Sequence, residues 1–299
     1  MISIFFYFNS ESKKVQQSIS SLLKQNSNEF ELFLVDCSDK ATNLTIDTSS
    51  FSKVKFLKTN LENNIAYFAN QFLTQATGKY VYFMGQDTEL DVNFVKMCNS
   101  VHSEDFAIFS NNTKNVQTIM KNKSKDLEEI FLPCLEDKIF SNSFLKNNNI
   151  YFALNKFNTL SFLYKVLTKF NSCKILPQSA KNQIIPSNIY SDLYFTGEIV
   201  TSFLHDYKQS YFWEQNYKQI EFLVSYFIIF IALPSNFSKN KSVYSREIAI
   251  SFFDKFLEDN FSEWKDNAIL NSITNIKFKK NKLNVSLVEK VLVELNNGK

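Results

Sequence analysis

A run of polar side chains, Gln86, Asp87, Thr88, Glu89 and Asp91, follows directly on the apolar stretch Tyr80-Val81-Tyr82-Phe83-Met84. That stretch is short and rich in aromatic residues, so it reads as an interior strand rather than a surface helix. Open α/β sheets hold their ligands just past the carboxyl ends of their strands, which is where these polar groups stand. Asp87, with Glu89 or Asp91 close by, suits a hard cation such as Mg²⁺ or Mn²⁺, which takes one or two carboxylates and completes its shell with ligand oxygens. Other metal chemistry has no support: His102 and His205 lie in no ligand motif, and Cys37, Cys98, Cys134 and Cys173 show no C-x-x-C spacing.

The elements needed to position these groups are legible on either side. Residues 2–8 form a continuous apolar run, as expected of a central parallel strand covered on both faces. Val15, Ile19, Leu22 and Leu23 follow at helical spacing, and Glu31 to Val35 gives a second strand ending at Asp36-Cys37-Ser38-Asp39, which completes a βαβ unit. Val54 to Leu57 reads as a third strand. Residues 64–75 read as a helix with Ile65, Phe68, Phe72 and Leu73 on one face, closed by Gly78 in the left-handed conformation open to glycine. Phe106 to Phe109 offers another strand, and 110–130 a polar mobile loop containing Lys121, Lys123 and Lys125. Beyond 200 the periodicity is helical, in Phe222 to Leu233, in Ile248, Phe252 and Phe256, and from Leu287 to Leu295. We therefore expect two domains, 1–200 and 201–299, the first α/β and the second helical.

Composition narrows the function classes. With 33 basic and 30 acidic residues the net charge is +3, too small for a nucleic-acid-binding surface. Arg246 is the single arginine, so an anionic ligand at the first domain must be held by lysine, backbone or metal. The 32 phenylalanines carry no functional weight at this level. No basic segment, apolar stretch and cleavage site mark the amino terminus as a signal peptide, and scattered cysteines suit a reducing cytoplasm. The run from Phe222 to Leu233, stopped by Pro234, falls short of the roughly 20 residues that cross a bilayer. Lys277, Lys279, Lys280 and Lys282 offer a contact for an anionic membrane surface.

The segment Ala76-Thr77-Gly78-Lys79-Tyr80-Val81-Tyr82-Phe83, with the acids after it, resembles the A-x-G-x-Y-hydrophobic-D-x-D signature of family 2 glycosyltransferases, inverting enzymes of GT-A fold. Phe8-Asn9-Ser10-Glu11 and Val35-Asp36-Cys37-Ser38 stand where that family carries P-x-Y-N-x-E and V-D-D-x-S. The resemblance implies a Rossmann-like, mostly parallel sheet, with a strand leading into a helix over 131–145, followed here by the helical C-terminal region. It implies a nucleotide-sugar site formed by Phe8, Asn9, Asp36, Cys37, Asp39, Asn70, Gln86 and Asp87, with Asp87 as the metal ligand. It also implies a glycan or lipid-linked acceptor, a cytoplasmic location at or near the inner membrane face, and C-terminal helices that can form a homo-oligomer. Four positions depart from the pattern: Cys37 replaces a base-binding aspartate, Ala69 precedes Asn70 where an arginine is usual, Gly85 replaces the first acid of D-x-D, and Asn158-Thr159 replaces the pair that supplies the general base. From Lys138 to Ser191 there are seven lysines and no Asp or Glu, so Asp137 and Asp192, which flank that segment, are the candidates for the base. Two activities fit: transfer of a hexose from a nucleotide sugar, or a binding or assembly subunit in which catalysis is impaired.

Overall fold

The computed structural model describes the chain except for residues 9–12, 38–53, 59–64, 87, 111–116, 121–131, 154–158, 178–179, 183–191, 275–282 and 297–299. It divides into two compact units, one of residues 1–126 with 134–182, the other of 127–133 with 183–299.

The first unit is built on an eight-stranded sheet of order β3-β2-β1-β4-β8-β6-β9-β7, formed by β1 (Ile2–Phe8), β2 (Phe30–Asp36), β3 (Val54–Lys58), β4 (Tyr80–Met84), β6 (Phe106–Ser110), β7 (Gln117–Met120), β8 (Lys138–Ser141) and β9 (Ser172–Pro177). β3, β2, β1 and β4 run parallel, as do β6 and β9, while β8 lies antiparallel between β4 and β6, and β7 antiparallel to β9. A separate antiparallel pair joins β5 (Thr88–Leu90) to β10 (Ala180–Asn182). β1, β2 and β4 are apolar on both faces because both faces are covered. Under one face Ile4, Phe6, Leu32, Leu34 and Tyr82 pack with Val15, Ile19 and Leu22 of α1 (Lys13–Leu23) and with Phe94 and Cys98 of α3 (Phe94–Asn99).

Phenylalanine builds the other face. Phe72 of α2 (Ile65–Gln75) meets Phe5, Phe33 and Phe83 at ring separations of 5.4, 5.0 and 5.8 Å. Phe83 also meets Phe162 of α5 (Thr159–Lys169) at 5.7 Å, and Phe162 stacks on Phe152 at 4.4 Å. Edge-to-face and offset pairs of this kind add about 0.5–1.5 kcal/mol each to the burial itself. Phenylalanine thus supplies most of the ring packing on this face, while Phe6, Phe8, Phe94 and Phe109 pack on the opposite one.

Gly78 does not adopt the expected left-handed conformation. Its requirement is steric: a Cβ there would lie 2.5 Å from Ser3 N and Oγ and 2.8 Å from the Ile2 carbonyl carbon. The end of α2 is instead closed by α4 (Asn142–Asn147), whose Asn142 Nδ2 donates to the carbonyls of Ala76 and Gly78 at 2.8 and 2.9 Å and whose Lys146 Nζ donates to Ala76 O at 3.0 Å. The expected loop at 110–130 contains β7, and the strand expected within 131–145 begins at Lys138. Short strands with mixed side chains give no clear alternation, so pairing with β9 decides β7.

The second unit is helical: α6 (Leu193–Tyr207), α7 (Tyr211–Gln215), α8 (Tyr217–Tyr226), α9 (Leu233–Lys239), α10 (Val243–Asn260), α11 (Ala268–Thr274) and α12 (Val285–Asn296). A π-helical segment, Phe227–Ala232, joins α8 to α9. Pro234 therefore does not stop the apolar run; it stands just after the π-helical segment, inside one continuous helix. The continuous stretch Tyr217–Ser238 has 22 residues, long and apolar enough to cross a membrane, yet 94% of its most apolar window is buried within the protein. Arg246, the lone arginine, donates to Asn240 O at 2.9 Å and Glu289 Oε1 at 2.8 Å, tying α10 to α12. On α10 the buried side chains are Ala249, Ile250, Phe253 and Leu257, whereas Ile248 and Phe252 of the periodic set seen in the sequence face outward.

Candidate functional site

The parallel register brings the carboxyl ends of β1, β2 and β4 to one edge of the sheet, with Phe8 beside Asp36 and Phe6 beside Met84. Because β8 runs antiparallel to β4, the turn that precedes it, Leu135 to Asp137, arrives at that same edge. Tyr82 fixes the turn by donating its hydroxyl to the Glu136 carbonyl at 2.9 Å, and Phe109 N donates to Asp137 O at 2.8 Å. The acidic turn after β4 is fixed from α1. Ser18 Oγ donates to Gln86 O at 2.8 Å, Ser21 Oγ accepts from Leu90 N at 3.0 Å, and Gln25 bonds Asp91 O at 2.8 Å and Val95 N at 3.0 Å. Ser18 and Ser21 of α1 and Gln25 just beyond it recur at near-helical spacing and hold the backbone at Gln86, Leu90 and Asp91, on both sides of Asp87.

The expected site residues fall into distinct environments. Phe8 is wholly buried with its ring tilted against Phe6 at 5.8 Å, while its carbonyl accepts from Cys37 N at 2.8 Å. Asp36 and Cys37 are buried at the edge, next to the end of β1. Asn70 uses both ends of its amide on Phe152, donating to its carbonyl and accepting from its N–H, each at 2.9 Å. Gln86 is partly exposed in the turn. Asn9, Asp39 and Asp87 lie outside the described residues, as does Asn158, while Thr159 begins α5. Asp192 belongs to the second unit and caps α6 by accepting from Phe195 N at 2.8 Å.

Asp137 stands at the edge in a more reactive setting. Its carboxylate sits 2.7 Å from the ammonium of Lys138, which is 1% exposed and also donates to Cys134 O at 3.0 Å. Burial pushes the Asp137 carboxyl up to about 6, against the downward pull of Lys138. It is anionic at neutral pH with a proton affinity raised toward the working range of a general base.

Two carboxylates escaped notice in the sequence. Glu136 projects its side chain to Gly85: a Cβ at 85 would come 3.0 Å from Glu136 Oε1. A carboxylate from the β8 turn thus lies where the side chain of residue 85 would start, and the absence of that side chain was the available signal. Glu31, at the opposite end of the sheet, accepts from Ser3 Oγ, from Thr77 N at 2.6 Å, from Thr77 Oγ1 at 3.0 Å and from Gly78 N at 3.3 Å. Burial alone would raise its pKa, but these hydrogen bonds together hold it below the ordinary value of 4.5. The Thr-Gly of the signature is therefore anchored to β1 and β2 by a buried carboxylate, remote from the ligand edge.

The sequence profile of "Glycosyl transferase family 2" matches residues 3–160, more than half of the chain. The chain belongs to this family. Its fold is that of GT-A glycosyltransferases. The crystal structure of TarS residues 1–349 from S. aureus is similar with a TM-score of 0.60 at 16% identity, covering 100% of this chain and 92% of that one. TarS 1–349 in complex with UDP-GlcNAc gives 0.58 at 16%, over 99% and 89%. The mannosyltransferase PcManGT from Pyrobaculum calidifontis, in complex with GDP-Man and Mn²⁺, gives 0.52 at 9%, over 99% and 86%. Among curated protein sequences none matches.

Among the described residues no group of three or more His, Cys, Asp or Glu is arranged to hold a metal. Glu136 supplies one hard oxygen beside Gly85, the donor type that Mg²⁺ and Mn²⁺ take, while its other oxygen accepts from Cys134 Sγ at 3.2 Å.

Proposed function

We propose that this family 2 glycosyltransferase moves a hexose, with inversion, from a nucleotide sugar to a polysaccharide or lipid-linked acceptor on the cytoplasmic side of the membrane. The observation that supports this most is the convergence of Asp36, Gly85 with Glu136, and Asp137 on one sheet edge within a family 2 fold. Asp36, Cys37 and Asp39 with the backbone after Phe8 hold the nucleotide, and Asp87 with Glu136 holds the cation. Bound there, the cation would offset the charge that grows on the leaving diphosphate. Asp137 is the base that takes the acceptor hydroxyl proton: it is ionised at neutral pH and its pKa of about 6 keeps it basic. Asp192 is the weaker candidate because its carboxylate is committed to capping α6. Contact with an anionic membrane surface through the lysines from 277 to 282, and self-association through the C-terminal helices, belong to the same reading.

A second reading is favoured by a specific observation: with Gly85 in place of an acid and both ends of the Asn70 amide bound to Phe152, the site has fewer polar groups for a donor. In that case the protein binds nucleotide and assembles with a partner without turnover. Calorimetry with UDP and GDP in Mn²⁺, followed by donor hydrolysis assays, separates the two. We expect Mn²⁺-dependent binding and hydrolysis in the parent and neither hydrolysis nor Mn²⁺ dependence in Asp87→Ala. Nucleotide binding without turnover on a broad acceptor panel selects the second reading, and no nucleotide binding at all defeats both.

A further inference from the structure

Helix α10 carries two apolar faces. Ala249, Ile250, Phe253 and Leu257 are buried within the second unit, but Tyr244, Ile248 and Phe252 form a separate stripe at four-residue steps and are 71, 44 and 42% exposed. Residues four apart stack along one side of a helix, so these three make a continuous ridge. Its Phe252 end is held by packing. Gly197 of α6 has no side chain, and a Cβ there would come 3.1 Å from Phe252 Cζ, so the ring lies directly on the α6 backbone. Tyr194, one turn earlier on α6 and 78% exposed, extends the ridge sideways. Apolar side chains left in water along one helix face, with Phe252 held against α6, are characteristic of a contact site.

The charges around the ridge identify the occupant. Lys241, Glu247, Lys255 and Asp259 are all exposed. Lys241 lies just before the helix and Asp259 near its end, with Glu247 and Lys255 between them. A parallel copy of α10 would set Lys241 against Lys241 and Asp259 against Asp259. An antiparallel copy, related by a two-fold axis near Ile250, sets Lys241 against Asp259, Glu247 against Lys255, and Ile248 against Phe252, each contact occurring twice by symmetry. An anionic lipid surface is less well matched, because the two cations are offset by two anions on the same face. We infer that α10 is a self-association surface through which two copies of this chain pair antiparallel. A single helix pair falls at the small end of specific interfaces, about 1,200 Å² or less, so the dimer is weak and concentration-dependent. It rests on the self-association named under the proposed function and is read by mass rather than turnover, so it can fail without the sugar-transfer reading failing.

Sedimentation velocity on the full chain across micromolar concentrations, with an anionic-vesicle flotation assay alongside, tests it. The parent should show a reversible monomer–dimer equilibrium, and Ile248→Glu should remain monomeric throughout. Lys241→Asp and Asp259→Lys should each weaken association by about three- to tenfold, as two exposed ion pairs per dimer would. The double exchange should restore it to within about threefold of the parent. Both exchanged side chains are exposed, so the charge variants keep the inference testable even if circular dichroism shows Ile248→Glu to be misfolded. A parent that stays monomeric, charge variants whose effects add instead of cancelling, or a ridge that binds vesicles without self-association would each overturn the inference.

Discussion

Replacing Glu31 by glutamine tests whether the Thr77-Gly78 turn is anchored as described. Oε1 accepts from Ser3 Oγ, Thr77 N and Gly78 N, and Oε2 from Thr77 Oγ1. Glutamine can keep its oxygen at the first place and turn its amide nitrogen toward Thr77 Oγ1, which can rotate to accept. The bonds then survive but lose their charge. Hydrogen bonds to a charged group contribute about 1.5–3 kcal/mol and neutral ones about 0.5–1.5, so two well-made bonds and one longer one give a loss of about 2–3 kcal/mol. The sign with pH follows from the lowered pKa. The stabilisation is fully present above the ordinary value of 4.5 and is lost as pH falls through the lower folded value. The deficit of Glu31→Gln is therefore largest at neutral pH and narrows on acidification. Both tryptophans, Trp213 and Trp264, lie in the second unit, so their fluorescence does not report on the first unit directly. Urea unfolding followed by far-ultraviolet circular dichroism, together with amide exchange at β1 and β4, reports it. A deficit below about 1 kcal/mol at neutral pH, or one that does not shrink on acidification, refutes the anchoring role.

Three other outcomes are expected. Gly78→Ala, whose Cβ would meet backbone at 2.5 Å, should cost about 3 kcal/mol or more and raise exchange across β1 and β4. Asp137→Asn should lower kcat by about 10²–10⁴-fold with nucleotide affinity retained, and the parent rate should fall as pH drops through about 6, where Asp137 becomes protonated. Asp192→Ala should lose about 1 kcal/mol at the start of α6, seen as faster amide exchange there, with kcat unchanged; a large fall in kcat instead would make Asp192 the base.

The first 100 residues were largely legible because their signals are local. A continuous apolar run buried on both faces, as in β1, or a stripe at helical spacing, as in α1 and α2, is written in adjacent side chains. The same holds for the polar turn after β4, since its residues are contiguous. Glu136 was illegible because its relation to Gly85 spans 51 positions and exists only once β8 lies antiparallel to β4. β7 and β10 were missed because strands of 4 and 3 residues carry too little alternation to declare themselves without partners.

By itself, the sequence determined that a βαβ unit with an acidic edge must form near the amino terminus, since short-range apolar periodicity and strand-end chemistry need no distant partner. Tertiary structure alone decided three further matters. Gly78 is needed because Ser3 and Ile2 crowd it, not because of a backbone angle. Asn70 and Asp192 spend their polar atoms on Phe152 and Phe195. And of the two apolar stripes on α10, the one at 249, 250, 253 and 257 faces inward. The physical reason is common to all three: periodicity says that a face will be buried or a polar group satisfied, but which atoms do so depends on neighbours brought close only by folding.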